Sequence, residues 1–191
     1  MKEELIIVSR NKSKIKEAQE ILNDYNIIPM EEYELQIDVK EDQETFEKNA
    51  IKKAETVARI LEGRKCIADD SGIEIEYLNG FPGVETKRWL DGTDRERNLE
   101  ILKRLKDVPK EKRNIKFISA IAISDGKHTI SAVSEINGKV TEEIRGENGF
   151  GFDEIFELSN GKTLAEISPE EKNEISARKK ALELIKERMR K

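Results

Sequence analysis

The apolar run Leu5 to Val8 stops at Ser9-Arg10-Asn11, and Ile15, Ala18, Ile21 and Leu22 then recur at helical spacing. A short β-branched run followed by a polar turn and an amphipathic stripe reads as strand, turn and helix. The pattern repeats. An acidic loop, Glu41 to Thr45, leads into the stripe Phe46, Ala50, Ala54, Val57, Ala58 and Leu61, which closes at Gly63, and Cys66 to Ala68 follows as a second buried run. Strands alternating with helices specify an α/β fold.

Beyond Ala68 the reading becomes more varied. Asp69-Asp70-Ser71-Gly72 is expected to break the strand, and Ile73, Ile75 and Tyr77 then alternate with acids as a separate half-exposed strand. Asn79-Gly80-Phe81-Pro82-Gly83 is a turn-rich loop. Leu99, Leu102 and Leu105 mark a third helix before Pro109, and Ile115 to Ile123 with Thr129 to Ile136 form two strands joined around Asp125-Gly126. Ser168-Pro169-Glu170-Glu171 carries a cap residue, a proline at the first helical position and a glutamate at the third, and is expected to open one long terminal helix. No linker or repeat divides the chain, so residues 1–191 are expected to form a single domain. Its central strands would form a second lobe, with the ligand in a cleft between the lobes.

Charge narrows the function. The net charge is −5 although 35 Lys and Arg are present, so anion binding must come from local clusters, and extended nucleic-acid binding is disfavoured. Cys66 is the only cysteine, which excludes an internal disulfide and a thiolate metal cage. No signal peptide or membrane-length apolar run is evident, so a cytoplasmic protein without membrane contact is expected. The one histidine, His128, lies beside the expected hairpin turn, which leaves Ser-His-Asp and Cys-His mechanisms without a base. Carboxylate-assisted metal chemistry remains.

Four segments carry candidate residues. Ser9 to Lys14 lies where a strand gives way to a helix, so free N–H groups and the helix dipole would face the same anion as Lys12 or Lys14; the same lysines also fit a solvated first turn. Asp69 and Asp70 repel one another unless a cation compensates. Magnesium suits such a pair, with Glu41 as a partner from another segment, although the string also fits an Asx-capped turn. Gly149-Phe150-Gly151-Phe152-Asp153 offers aromatic rings, room for a flat group and an acceptor carboxylate, or simply a core-filling turn. On the terminal helix Arg178 falls on the inward stripe of Ile175, Leu182 and Ile185, where it needs a structural carboxylate or a ligand acceptor, while Lys172 and Ser176 form an i, i+4 pair.

Together the strings SRNKSKIKE, ETFEKNAIKKA, ADDSGIEIEYLNGFPGV, GENGFGFDEIF and TLAEISPEEKNEISARKKA resemble the inosine triphosphate pyrophosphatase family, in order and over nearly the whole chain. The resemblance implies an elongated α/β fold, with two lobes of mixed sheet flanked by helices and a nucleotide cleft between them. It also implies a homodimer that cuts non-standard purine nucleoside triphosphates (ITP, dITP, XTP) into a monophosphate and pyrophosphate with Mg2+. By the same resemblance Asp70 is catalytic and, with Glu41, a metal acid, and the adjacent Asp69 is a further candidate metal ligand from the paired carboxylates. Ser9, Asn11, Lys12, Lys14, Lys53, Ser71 and Lys172 meet substrate, and Phe150, Gly151, Phe152, Asp153 and Arg178 form the base pocket. Ala177 departs from the family, which usually has histidine there, as do Gln43 and Arg10. A pyrophosphatase for modified pyrimidine or standard nucleotides, or a non-catalytic nucleotide-binding module, are the alternatives.

Overall fold

The computed structural model describes residues 2–33 and 37–190. The described strands, β1 (Glu4–Ile7), β2 (Asn26–Pro29), β3 (Cys66–Ile75), β4 (Phe81–Pro82), β5 (Asn114–Ser124), β6 (Thr129–Val140) and β7 (Phe156–Glu157), order as β2-β1-β3-β5-β6-β7, with β4 paired to β3. The chain divides into two compact units: Met1–Ser71, Ser119–Ser134 and Ala177–Lys191 form the first, and Gly72–Ile118 and Glu135–Ser176 the second.

In the first unit, β1 (Glu4–Ile7) pairs in parallel with β2 (Asn26–Pro29) and with the start of β3 (Cys66–Ile75). Between β1 and β2 runs α1 (Lys12–Ile21), and before β3 runs α2 (Phe46–Ile60), whose Thr45 cap accepts from Lys48 N–H. The apolar stripe expected of α2 is its buried face. Gly63 adopts φ +91 just past its end, where a side chain would be strained, and returns its N–H to the Ala58 carbonyl. Leu5, Ile7, Ala18, Leu22 and Ile67 form the core with Ala181, Leu182 and Ile185 of the last helix, α5 (Ala177–Met189).

In the second unit, α3 (Asp94–Arg104) opens with a complete capping box, Thr93 and Glu96. Ile101 and Leu105 pack with Ile73, Ile75, Ile115, Ile155 and Phe156. β7 (Phe156–Glu157) pairs antiparallel with β6 (Thr129–Val140), the second arm of the expected hairpin, whose first arm is β5 (Asn114–Ser124).

Two expectations are corrected. Asp69-Asp70-Ser71-Gly72 does not break a strand: β3 runs unbroken from Cys66 to Ile75, because the aspartates are matched by cations and need no turn to reach solvent. Tyr77 lies beyond the strand, exposed in a 3-10 turn. Nor is there one terminal helix. The Ser168 capping box forms as expected, but α4 (Pro169–Ile175) ends at Ser176, whose ψ of 124 is extended, and α5 begins afresh at Ala177. The break lets Ile175 pack in the second unit's core while Ala177 and Arg178 are buried in the first. Ile175 and Arg178 therefore share no stripe, and Lys172 and Ser176 are not a helical pair.

Candidate active site

In the first unit, Asn11 caps α1, its Oδ1 accepting from Ser13 N–H at 2.9 Å and Lys14 N–H at 3.3 Å, while Ser9 Oγ accepts from Asn11 N–H at 3.1 Å. The N–H groups expected to be free for an anion are thus held by an amide oxygen standing where an anion would. Lys12 is exposed. Lys14 instead turns back onto β3 and ion-pairs with Asp69 Oδ1.

Asp69 and Asp70 point to opposite faces of β3, as adjacent strand residues must, and meet opposite surroundings. Asp69 was expected among the metal acids, but both its oxygens are spent on cations: Oδ1 on Lys14, and Oδ2 on Arg178 Nε at 3.0 Å. Burial works against its ionised form, yet the charges of Lys14 and Arg178 win and hold the carboxyl well below the usual range. Arg178, 8% exposed, also donates from Nη1 to both oxygens of Glu17 at 3.3 Å and from Nη2 to Ser71 Oγ at 3.3 Å. Glu17, one turn along α1 from Lys14, escaped the sequence reading; only its i+3 spacing marks it.

Asp70 is also 8% exposed, but its Oδ2 is buried with no hydrogen-bond partner among the described residues. Burial pushes its carboxyl above the ordinary range, Glu41 and Asp69 add to that, and Lys53 and the Asn49 side-chain amide oppose it. Lys53, on α2, lies 2.6 Å from Glu41 Oε1 and 3.5 Å from Asp70 Oδ1, and donates to the Asp69 carbonyl at 2.6 Å. One ammonium therefore stands between two carboxylates. Asn49, a fully buried residue that sequence reasoning also missed, fixes the acidic loop by accepting from Gln43 N–H at 3.0 Å. An orphaned carboxylate oxygen beside a second acid fits a small hard cation, whose remaining positions would be filled by water and phosphate oxygens. No group of three His, Cys, Asp or Glu ligands occurs among the described residues.

In the second unit, Asp153 Oδ2 accepts from Phe150 N–H at 2.7 Å and pairs with Lys172, whose ammonium lies 4.3 Å above the Phe150 ring. Gly149 has φ +82, and a Cβ there would strike the Asp153 carboxylate, so the tight loop requires glycine. Two residues of α3 pin it: Asp94 accepts from Gly151 N–H at 2.9 Å, and Asn98 donates to the Gly151 carbonyl at 2.9 Å. The two aromatics part company. Phe150 is 63% exposed, with Lys172 over one face of its ring, whereas Phe152 is partly buried and packs against the core.

Of the expected residues, the first unit thus gathers Lys14, Lys53, Glu41, Asp69, Asp70, Ser71 and Arg178, and the second gathers Phe150, Gly151, Asp153 and Lys172. Ala177 is buried at the start of α5 and brings no polar side chain.

A model of the Ham1 family matches residues 5–188. The dITP/XTP pyrophosphatase of Clostridium perfringens is 39% identical, covering 97% of this chain and 96% of its own, and that of Bacillus subtilis is 40% identical, covering 95% and 94%. Among solved structures, a HAM1 protein from Coxiella burnetii superposes with a TM-score of 0.91 at 36% identity, covering 98% of both chains. The Staphylococcus aureus Ham1 protein gives 0.91 at 34% identity with the same coverage.

Proposed function

This chain belongs to the Ham1 family, and from that premise we propose that it is a nucleoside-triphosphate pyrophosphatase, hydrolysing ITP, dITP and XTP to the monophosphate and pyrophosphate. The observation that supports the mechanism best is the Asp70 carboxylate, buried, short of a partner and raised in pKa, beside an ammonium it shares with Glu41. Mg2+ held by Asp70 and Glu41 would offset phosphate charge and lower the pKa of a bound water. In this reading Lys53 leaves the carboxylates for the triphosphate, and Asp70 orients the attacking water and takes its proton. Lys14 and Lys172 neutralise phosphate oxygens, with Ser9, Asn11, Lys12 and Ser71 as further contacts.

Base choice follows from donor chemistry. Phe150 supplies the stacking face and Asp153 an acceptor. A guanidinium has five N–H groups, and Arg178 directs Nε to Asp69, Nη1 to both oxygens of Glu17 and one Nη2 N–H to Ser71. The N–H left on Nη2 can donate to a 6-oxo group and gains nothing from the 6-amino group of adenine, which spares ATP. We propose a homodimer on the family resemblance. No helix among the described residues is long and apolar enough to cross a membrane.

The test is to incubate the protein with Mg2+ and, separately, ITP, XTP, GTP, ATP and dUTP, measuring pyrophosphate and orthophosphate with and without chelator. Chelator-sensitive pyrophosphate release favouring ITP and XTP is expected. A folded protein that releases pyrophosphate from none of them sinks the proposal, and a preference for dUTP moves the substrate to the pyrimidines.

A further inference from the structure

Two arginines are buried among the described residues, and their surroundings differ. Arg178 faces Asp69 and Glu17. Arg113, 4% exposed and immediately before β5, donates from Nη2 to the Thr141 carbonyl at 2.8 Å and from Nη1 to the Val108 carbonyl at 3.4 Å, while its Nε is buried with no acceptor. Both acceptors are neutral, and no carboxylate ion-pairs with it among the described residues. A guanidinium buried without a counter-charge is costly, so the fold either tolerates that cost or leaves room for an anion to relieve it.

The structure provides the room. Arg113 lines a cavity of about 400 Å³ in the second unit, together with Lys106, Leu102 and Val108, and with Asp107 and Glu142. Small-molecule sites span roughly 300–1,000 Å³, so the space suits more than a single water. The surrounding chain is locally basic: residues 103–113 carry six Lys and Arg against two acids, in a protein of net charge −5. Glu142 is exposed, and its charge favours the guanidinium without forming a pair with it.

We infer that this cavity is a binding site for a small phosphate-bearing anion, which supplies the counter-charge Arg113 lacks and meets Lys106 at the mouth. It uses none of the residues assigned to catalysis. The planar fork of a guanidinium suits phosphate oxygens, and Leu102 and Val108 line the same space. Orthophosphate, pyrophosphate and a nucleoside monophosphate share this chemistry, and the last two are products of the proposed reaction.

Calorimetric titration of the metal-free full chain with orthophosphate, pyrophosphate and inosine monophosphate tests the site without measuring turnover, so its failure is separate from failure of the proposed activity. Lys106→Gln and Glu142→Gln change only exposed groups. The first should weaken binding and the second tighten it, each about two- to fivefold, with hydrolysis unchanged in both. Arg113→Gln should abolish binding if circular dichroism shows it folded. Lys14→Gln, in the other unit, should leave binding at this cavity intact. The anion bound most tightly identifies the source. The proposal is overturned if none of the three binds, or if affinity is the same in wild type, Lys106→Gln and Glu142→Gln, or if Lys14→Gln alone removes the binding, which would place the anion among the catalytic residues.

Discussion

Neutralising Asp69 and neutralising its neighbour Asp70 should move the stability of the metal-free protein in opposite directions. Asp69 is buried between Lys14 and Arg178. Asp69→Asn removes the shared counter-charge of two buried cations, and breaking a buried pair by removing one partner costs about 3–5 kcal/mol. For a chain of this size each kcal/mol shifts Tm by roughly 2–4 °C, so the melting temperature should fall by about 6–20 °C. Asp70 is the reverse case. Its folded pKa is raised, chiefly by burial, so the fold pays for its ionisation at neutral pH, and its Oδ2 has no partner. Asp70→Asn should therefore stabilise the protein by about 1–2 kcal/mol, the scale of leaving a buried polar group unmatched. The pH dependence separates the two as well. The folded pKa of Asp69 is depressed, so its contribution is complete above the unfolded value of about 3.9 and is lost as pH falls through the folded value. The penalty at Asp70 is absent below about 3.9 and fully developed only above its raised folded pKa. Thermal melts in chelator at pH 7 and at stepped lower pH measure both. Adding Mg2+ at 100 times its Kd should then raise wild type by about 2.7 kcal/mol and leave Asp70→Asn nearly unmoved. If both substitutions lower Tm by similar amounts in chelator, the assignment of Asp69 to the cations and Asp70 to a metal is wrong.

Asp70→Asn should also lose turnover by roughly 100-fold or more while still binding ITP, since it removes the proposed base; wild-type kcat in that variant would refute the role. Phe150→Ala should raise KM for ITP roughly 5- to 100-fold, from the loss of about 1–3 kcal/mol of stacking, with kcat little changed, and an unmoved KM would mean the exposed ring is not the base platform. Cys66 is buried and its thiol is pushed up to about 12 by burial, so a thiol reagent at pH 8 should label only unfolded protein; prompt labelling of the native state would show that the strand opens.

The parts of the fold that were legible in the sequence are those set by local period. The stripe of α2 and the capping box of α4 need only neighbours within a turn or two, and the sequence carries those neighbours. What it does not carry is the long-range partner that overrides a local signal. Asp69-Asp70-Ser71-Gly72 has the composition of a turn, yet it is strand because Lys14, Lys53 and Arg178 arrive from three other segments to neutralise it. Ser176 has no proline or glycine beside it, yet the helix stops there, between Ile175, which packs partly buried against the second unit's core, and Ala177 and Arg178, which are buried in the first. The same reasoning governs the site. Residue types announced phosphate and metal chemistry, but not how the ions divide the work: two adjacent aspartates, alike in sequence, take opposite electrostatic parts because successive side chains of one strand face opposite ways. Reading which aspartate keeps a spare oxygen required the fold, and that spare oxygen is what distinguishes a residue available to a cation from one already satisfied.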